Sequence, residues 1–421
     1  MNAVKEYQDF EIEIHRGEEG YRANVLDSPA GTGSAPFVPP VDQIGLTGLR
    51  ASVQQVIRGA ARDLGSSGGA QGNSADQAQE IGPALYKALF WGKVKELFDQ
   101  SIEPLGAADR GLRVKLRFDL RTSDSWLGDL PWELLRHPEQ PAPLAMSPRT
   151  PLVRFLVGGI TWPSLPFEPP LQVLAAAANP VGSQRLDLEA ECIRLEAAAG
   201  DSSKVRVTFL RHATLDALGQ SIRAGRFHVL HFMGHGESAA QGSALHFERS
   251  GGFAESVSGL ALAGNFQDDP RLRLVVLNAC HGGEVSGGAD PFFGVATTLV
   301  QAGLPAAVAM QAAISDRGAV AFTTSLYESL ASGDPIDAAV TQARRAISPN
   351  WQASLEWSVP VLFLRVPDGR LFRTVEAPPP PAPTLLPPEQ RPAELPGSVH
   401  TKVEGGVHAH QVVFGPQFNN R

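Results

Sequence analysis

An α/β fold with a mostly parallel central sheet, covered by helices on both faces, is what this sequence predicts. Three observations carry that expectation. From about residue 170, short apolar runs recur at 171–177, 205–210, 227–233, 272–279, 306–311 and 361–366. Segments of helical period separate most of them, at 186–199, 214–224, from Asp290-Pro291 onward, 317–331 and 335–347. The runs are nearly continuous in Val, Leu, Ile and Ala rather than alternating, the pattern of strands buried on both faces.

The chain before residue 170 reads differently. Phe10-Glu11-Ile12-Glu13-Ile14 alternates, as a half-buried strand does. A Gly-, Pro- and Ser-rich loop follows at 28–40, then a helix at 45–64 and a flexible connector at 65–72. Residues 77–100 carry apolar side chains at helical spacing: Ile81, Leu85, Leu89, Val94, Leu97 and Phe98. The stretch 112–120 alternates strictly, with Arg113, Lys115 and Arg117 between apolar neighbours. That pattern predicts one wet face, and so an antiparallel or near-edge strand. These elements suggest a smaller α+β region over 1–109, ahead of a main domain over 110–375. Nine prolines between Pro378 and Pro396 predict a stiff, extended linker at 376–398. The segment 399–421 then reads as a short docking or autoinhibitory tail.

Composition bounds the function. The 421 residues carry a net charge of −8, with 43% hydrophobic and 19% charged residues. No basic stripe is present, which argues against nucleic-acid binding. The N-terminus lacks an apolar signal region, and the most apolar segment, 295–314, is broken by Gln301, Gly303 and Pro305. Two cysteines, Cys192 and Cys280, give no disulfide framework. A reducing, cytoplasmic setting without a membrane span is therefore expected. The sequence offers no phosphate-binding loop, and no cofactor or metal is expected.

Two strand ends carry the chemistry. The run from Phe227 stops at His235-Gly236, and the run from Leu272 stops at Cys280-His281-Gly282-Gly283. In open α/β sheets, function collects beyond the carboxyl ends of strands. If the two strands are neighbours, an imidazole and a thiol meet there, the minimum equipment for nucleophilic acyl transfer. His235 would take the thiol proton and return it to the leaving amine. The Gly236 and Cys280 backbone amides would bind the oxyanion. Asp316, on the same rim after the next strand, has two readings: a partner for a basic substrate side chain, or a helix N-cap. His231 reads as a core residue, although a zinc site from His231, His235, Cys280 and His281 is an alternative. Cys192, in an amphipathic segment, reads as structural.

These residues resemble the CHAT family, caspase-like cysteine peptidases related to separases. The matching motifs are His235-Gly236, Leu274 to Cys280, and Ala309-Met310-Gln311 to Ser315-Asp316 with Phe322, Tyr327, Gly333 and Ala343-Arg344. Leu130-Pro131-Trp132-Glu133-Leu134-Leu135 and Pro151-Leu152-Val153-Arg154 match upstream. The resemblance implies a caspase-type three-layer α/β/α sandwich, with its catalytic half at 170–367. It also implies a Cys280–His235 dyad and peptide-bond hydrolysis. In separase-like relatives the position matching Asp316 lines the pocket for a basic P1 residue. The expected partners are a protein substrate and a protein regulator docking the tail. The competing expectation is a caspase-like scaffold without turnover.

Overall fold

The computed structural model describes residues 6–375, except 63–71, 108–109, 119–123, 158–161, 184–185, 201, 240–241, 267–268, 280–290, 313, 350–351 and 353. The Pro-rich segment and the tail lie outside the described residues, in a separate unit from Ala377 to Arg421. The first unit begins with strands β1 (Glu6–Gly17), β2 (Gly20–Asp27) and β3 (Gly33–Pro36). Helices α1 (Gln43–Arg62), α2 (Gly72–Leu89) and α3 (Gly92–Ile102) follow, then β4 (Arg110–Phe118), β5 (Leu152–Phe155) and β6 (Leu165–Phe167).

The alternating half runs β7 (Leu171–Ala177), α4 (Leu188–Ala199), β8 (Val205–Arg211), α5 (Leu215–Ala224) and β9 (Val229–Gly234). Next come β10 (Gly236–Ala239), β11 (Gly242–Glu248), β12 (Ala254–Ser258), α6 (Gly259–Gly264) and β13 (Leu274–Ala279). The unit closes with α7 (Pro291–Gln301), β14 (Ala306–Met310), α8 (Asp316–Ala331), α9 (Ile336–Ile347), β15 (Pro360–Leu364) and β16 (Phe372–Thr374).

One eleven-stranded sheet orders these strands β3-β2-β1-β4-β5-β15-β14-β13-β9-β7-β8. Pairing is parallel except at β3-β2, β2-β1 and β15-β14. The predicted mixed α/β architecture with a large, mostly parallel sheet is therefore what the chain forms. Strand residues divide by period 2 between two cores. Val229, Met233, Leu274, Val276 and Val308 pack in one, with Leu195 of α4 and Phe322 and Leu326 of α8. Leu230, Phe232, Val275, Leu277 and Ala307 pack in the other, with Leu218 of α5, Leu262 of α6 and Val295 of α7.

Three expectations need correction. β4 is neither antiparallel nor near an edge: it runs parallel between β1 and β5. Arg113 and Lys115 are buried because partners meet them. Arg113 binds Asp337 at 2.6 Å and Asp9 at 3.0 Å, and Lys115 binds Asp9 at 2.6 Å. Arg117 pairs with Glu11 at 2.7 Å. Charge alternation marked an ion-paired interior face rather than a wet one. The helical span 77–100 is two helices, parted where Gly92 takes φ +53°, a conformation that favours glycine. The loop at 28–40 contains the short strand β3.

Candidate functional site

β9 and β13 are direct neighbours, paired in parallel with Leu274 opposite Val229 and Ala279 opposite Gly234. His235 follows Gly234 without a break. Cys280 follows Ala279 in sequence and lies outside the described residues, as does His281. His235 is buried, 9% exposed. Its carbonyl accepts the His246 N–H at 3.0 Å, and the two rings stand 6.4 Å apart between centroids. On its other side, the His246 ring nitrogen Nε2 lies 3.3 Å from Glu237. Ser256 donates to the same carboxylate, and this hydroxyl, more than the imidazole, holds the Glu237 carboxyl below the usual range.

Gly236 opens β10 opposite Leu245 of β11. A Cβ there would stand 3.0 Å from Pro291 Cγ and 3.2 Å from the Ala244 carbonyl. The close approach of α7 and β11 thus leaves a side chain here little room. The small sheet β10-β11-β12 and α6 occupy the connection between the two site strands. Gly242, Gly251 and Gly252 interrupt these short strands, so no continuous period marks them in the sequence.

His231 is a core residue. It is 3% exposed, and its Nδ1 lies 2.7 Å from the Tyr327 hydroxyl. Burial pushes its pKa down to about 4, so the ring is neutral at pH 7. Cys192 is buried on α4, where burial pushes its thiol pKa up. Among the described residues no three metal-binding side chains cluster. No helix among them is long and apolar enough to cross a membrane.

Asp316 is the first residue of α8, and the cap is its neighbour: Ser315 Oγ accepts the Gly318 N–H at 3.1 Å. The N-cap reading of Asp316 is thereby corrected by one residue. Asp316 is 61% exposed in its side chain and pairs with Arg194 of α4 at 3.2 Å. Arg194 also binds Glu191 at 2.9 Å. Beside Arg194 a cavity of about 10 Å³, room for one water, lies between α4, α8 and the ends of β9 and β13. Arg194, Leu195, Met233, Asn278 and Val320 help line it. Asn278 is 7% exposed, and its Oδ1 has no hydrogen-bond partner among the described residues. Sequence reasoning passed over Asn278, Arg194 and Glu191. Only Asn278 carried a signal there, two residues before Cys280 in the sequence.

A family model described as the CHAT domain matches residues 92–363, nearly two-thirds of the chain. The chain belongs to the CHAT family. The match begins at α3 and ends within β15, so it takes in β9, β13 and every residue of the pocket. No curated protein matches this CHAT protein. Among solved structures, it is similar to chains in two crystal structures of the Saccharomyces cerevisiae separase–securin complex. One is 11% identical with a TM-score of 0.35, covering 77% of this chain and 22% of the other. The second is 10% identical with a TM-score of 0.34, covering 78% and 23%. The CHAT chain thus spans less than a quarter of those chains' length.

Proposed function

We propose that this chain is a cysteine endopeptidase with Cys280 as nucleophile and His235 as general base. The observation that carries the reading is the parallel register of β9 and β13, whose last paired residues are Gly234 and Ala279. The next residue in one strand is the histidine and in the other the cysteine. Strand parity supports the same reading. His231, Met233, Val276 and Asn278 lie on the face covered by α4 and α8, and in sequence His235 and Cys280 are the next residues of the same parity.

In this reading His235 takes the thiol proton, and sulfur attacks the scissile carbonyl carbon. The C–N bond then breaks as His235 returns the proton to the amine, and water hydrolyses the thioester. Gly236 suits the oxyanion role. Because the His246 N–H donates to the His235 carbonyl, Gly236 and Leu245 form a non-hydrogen-bonded pair, which directs the Gly236 N–H away from β11. Asp316 is assigned to the substrate's basic P1 side chain. A protein regulator, a cytoplasmic setting and the domain limits 1–109, 110–375, 376–398 and 399–421 belong to the same proposal.

The test is cleavage of a peptide library by the full chain, with and without candidate partners. Wild-type turnover should vanish in Cys280→Ala, and His235→Ala should lose at least ~100-fold. Cleavage that survives Cys280→Ala, or none by the wild type, sinks the peptidase reading and leaves a CHAT scaffold.

A further inference from the structure

Arg113, Arg154, Arg273, Arg344 and Arg365 are all buried. All but Arg273 are met by an acceptor. Arg113 donates to Asp337 and Asp9, and Arg154 donates to Glu133. Arg344 donates to the Pro360 carbonyl, and Arg365 to the Val300 carbonyl in the last turn of α7. Arg273 is 4% exposed, and among the described residues its side chain forms no hydrogen bond and no ion pair. It meets the face of Trp162 instead, with the guanidinium carbon 4.5 Å from the ring centroid. Such a contact does not use the N–H groups, which lie in the guanidinium plane. Arg273 Nε and Trp162 Nε1 are both buried donors without an acceptor among the described residues.

A guanidinium stays charged in proteins. Burying that charge without an anion is unfavourable, and here burial draws the pKa down with no neighbouring charge to offset it. The carboxylate nearest in sequence, Asp269, is already bound through both oxygens by Arg271, each at 2.9 Å. His228, whose carbonyl accepts the Arg273 N–H at 3.0 Å, is neutral at pH 7 and supplies no anion. The described side chains therefore leave the charge of Arg273 unbalanced.

We propose that Arg273, backed by Trp162, is an anion-binding site that takes a carboxylate or phosphate group at the amino end of β13. Either group offers two oxygens to the guanidinium fork. Binding there does not depend on the proposed dyad, which belongs beyond Ala279 at the other end of the strand.

The experiment is calorimetric titration of the full chain with inorganic phosphate and with acetate, against sodium chloride at matched ionic strength. At least one of the two anions should bind saturably, and which of them binds identifies the group accepted. Arg273→Met should weaken that binding at least ~10-fold, while Arg271→Met, at the paired neighbour, should leave it within ~2-fold. The same titration should change the tryptophan emission of the wild type, and Trp162→Phe should abolish that change. This second variant locates the site even if Arg273→Met does not fold. No saturable binding of either anion by the wild type overturns the proposal. Equal losses in Arg273→Met and Arg271→Met overturn it too, as does an emission change that survives Trp162→Phe.

Discussion

Glu133 is the residue on which the buried charge of this molecule turns. It lies in the segment Leu130 to Leu135, is 2% exposed, and accepts from Arg154 at 2.9 Å. Arg344, fully buried on α9, stands 3.7 Å away and donates to the Pro360 carbonyl at 2.7 Å. One carboxylate thus serves two guanidiniums, and burial holds the pKa of both below the usual arginine value. Removing that charge strands two desolvated cations. Glu133→Gln should cost roughly 3–5 kcal/mol in urea unfolding, because breaking a buried pair leaves uncompensated charge. Adding Arg344→Met should restore part of the loss. The motif was legible in the sequence, but its electrostatic duty was not. Nothing in the spacing of Glu133, Arg154 and Arg344 brings them together before the sheet does.

At the scale of elements, periodicity found the main-sheet strands and most helices of the alternating half. It failed where short elements follow glycine-rich turns, as in β10 to β12, and where one apolar stripe runs across two helices. Packing then decides what a substitution does. Gly82 on α2 meets the segment after Glu133, and a Cβ there would fall 2.2 Å from the Leu134 carbonyl. Gly48 on α1 has open space around it. Gly82→Ala should therefore destabilise the protein by about 1–3 kcal/mol, as overpacking does. Gly48→Ala should stabilise it by about 0.4–1 kcal/mol, through helix propensity and a restricted unfolded chain. Thermal unfolding of the two variants measures both, and equal effects would refute the packing argument.

Across the whole molecule, two buried histidines make stability depend on pH. His228 and His231 both have folded pKa values pushed down to about 4 by burial, from an ordinary value of 6.5. The unfolded chain therefore binds these protons first. Stability is lost as pH falls from about 6.5 to about 4, and no further loss arises from these groups below that. For His231 the loss is on the order of 3 kcal/mol. His231→Gln should flatten the slope of unfolding free energy against pH over this window. An unchanged slope would place the protonation elsewhere. Acidification should not favour the folded state through either group.

Sequence alone determined the α/β class, the strand ends bearing His235 and Cys280, the core role of His231 and the CHAT resemblance. Each depends on local period or on residues adjacent in the chain, so one dimension suffices to read it. Tertiary structure decided three other matters. It placed β9 beside β13, turned the charged alternation of β4 into buried ion pairs, and set Arg194 between Glu191 and Asp316. These depend on residues far apart in sequence. A buried charge is tolerated only when a partner from another element neutralises it, and no local pattern specifies which element that will be.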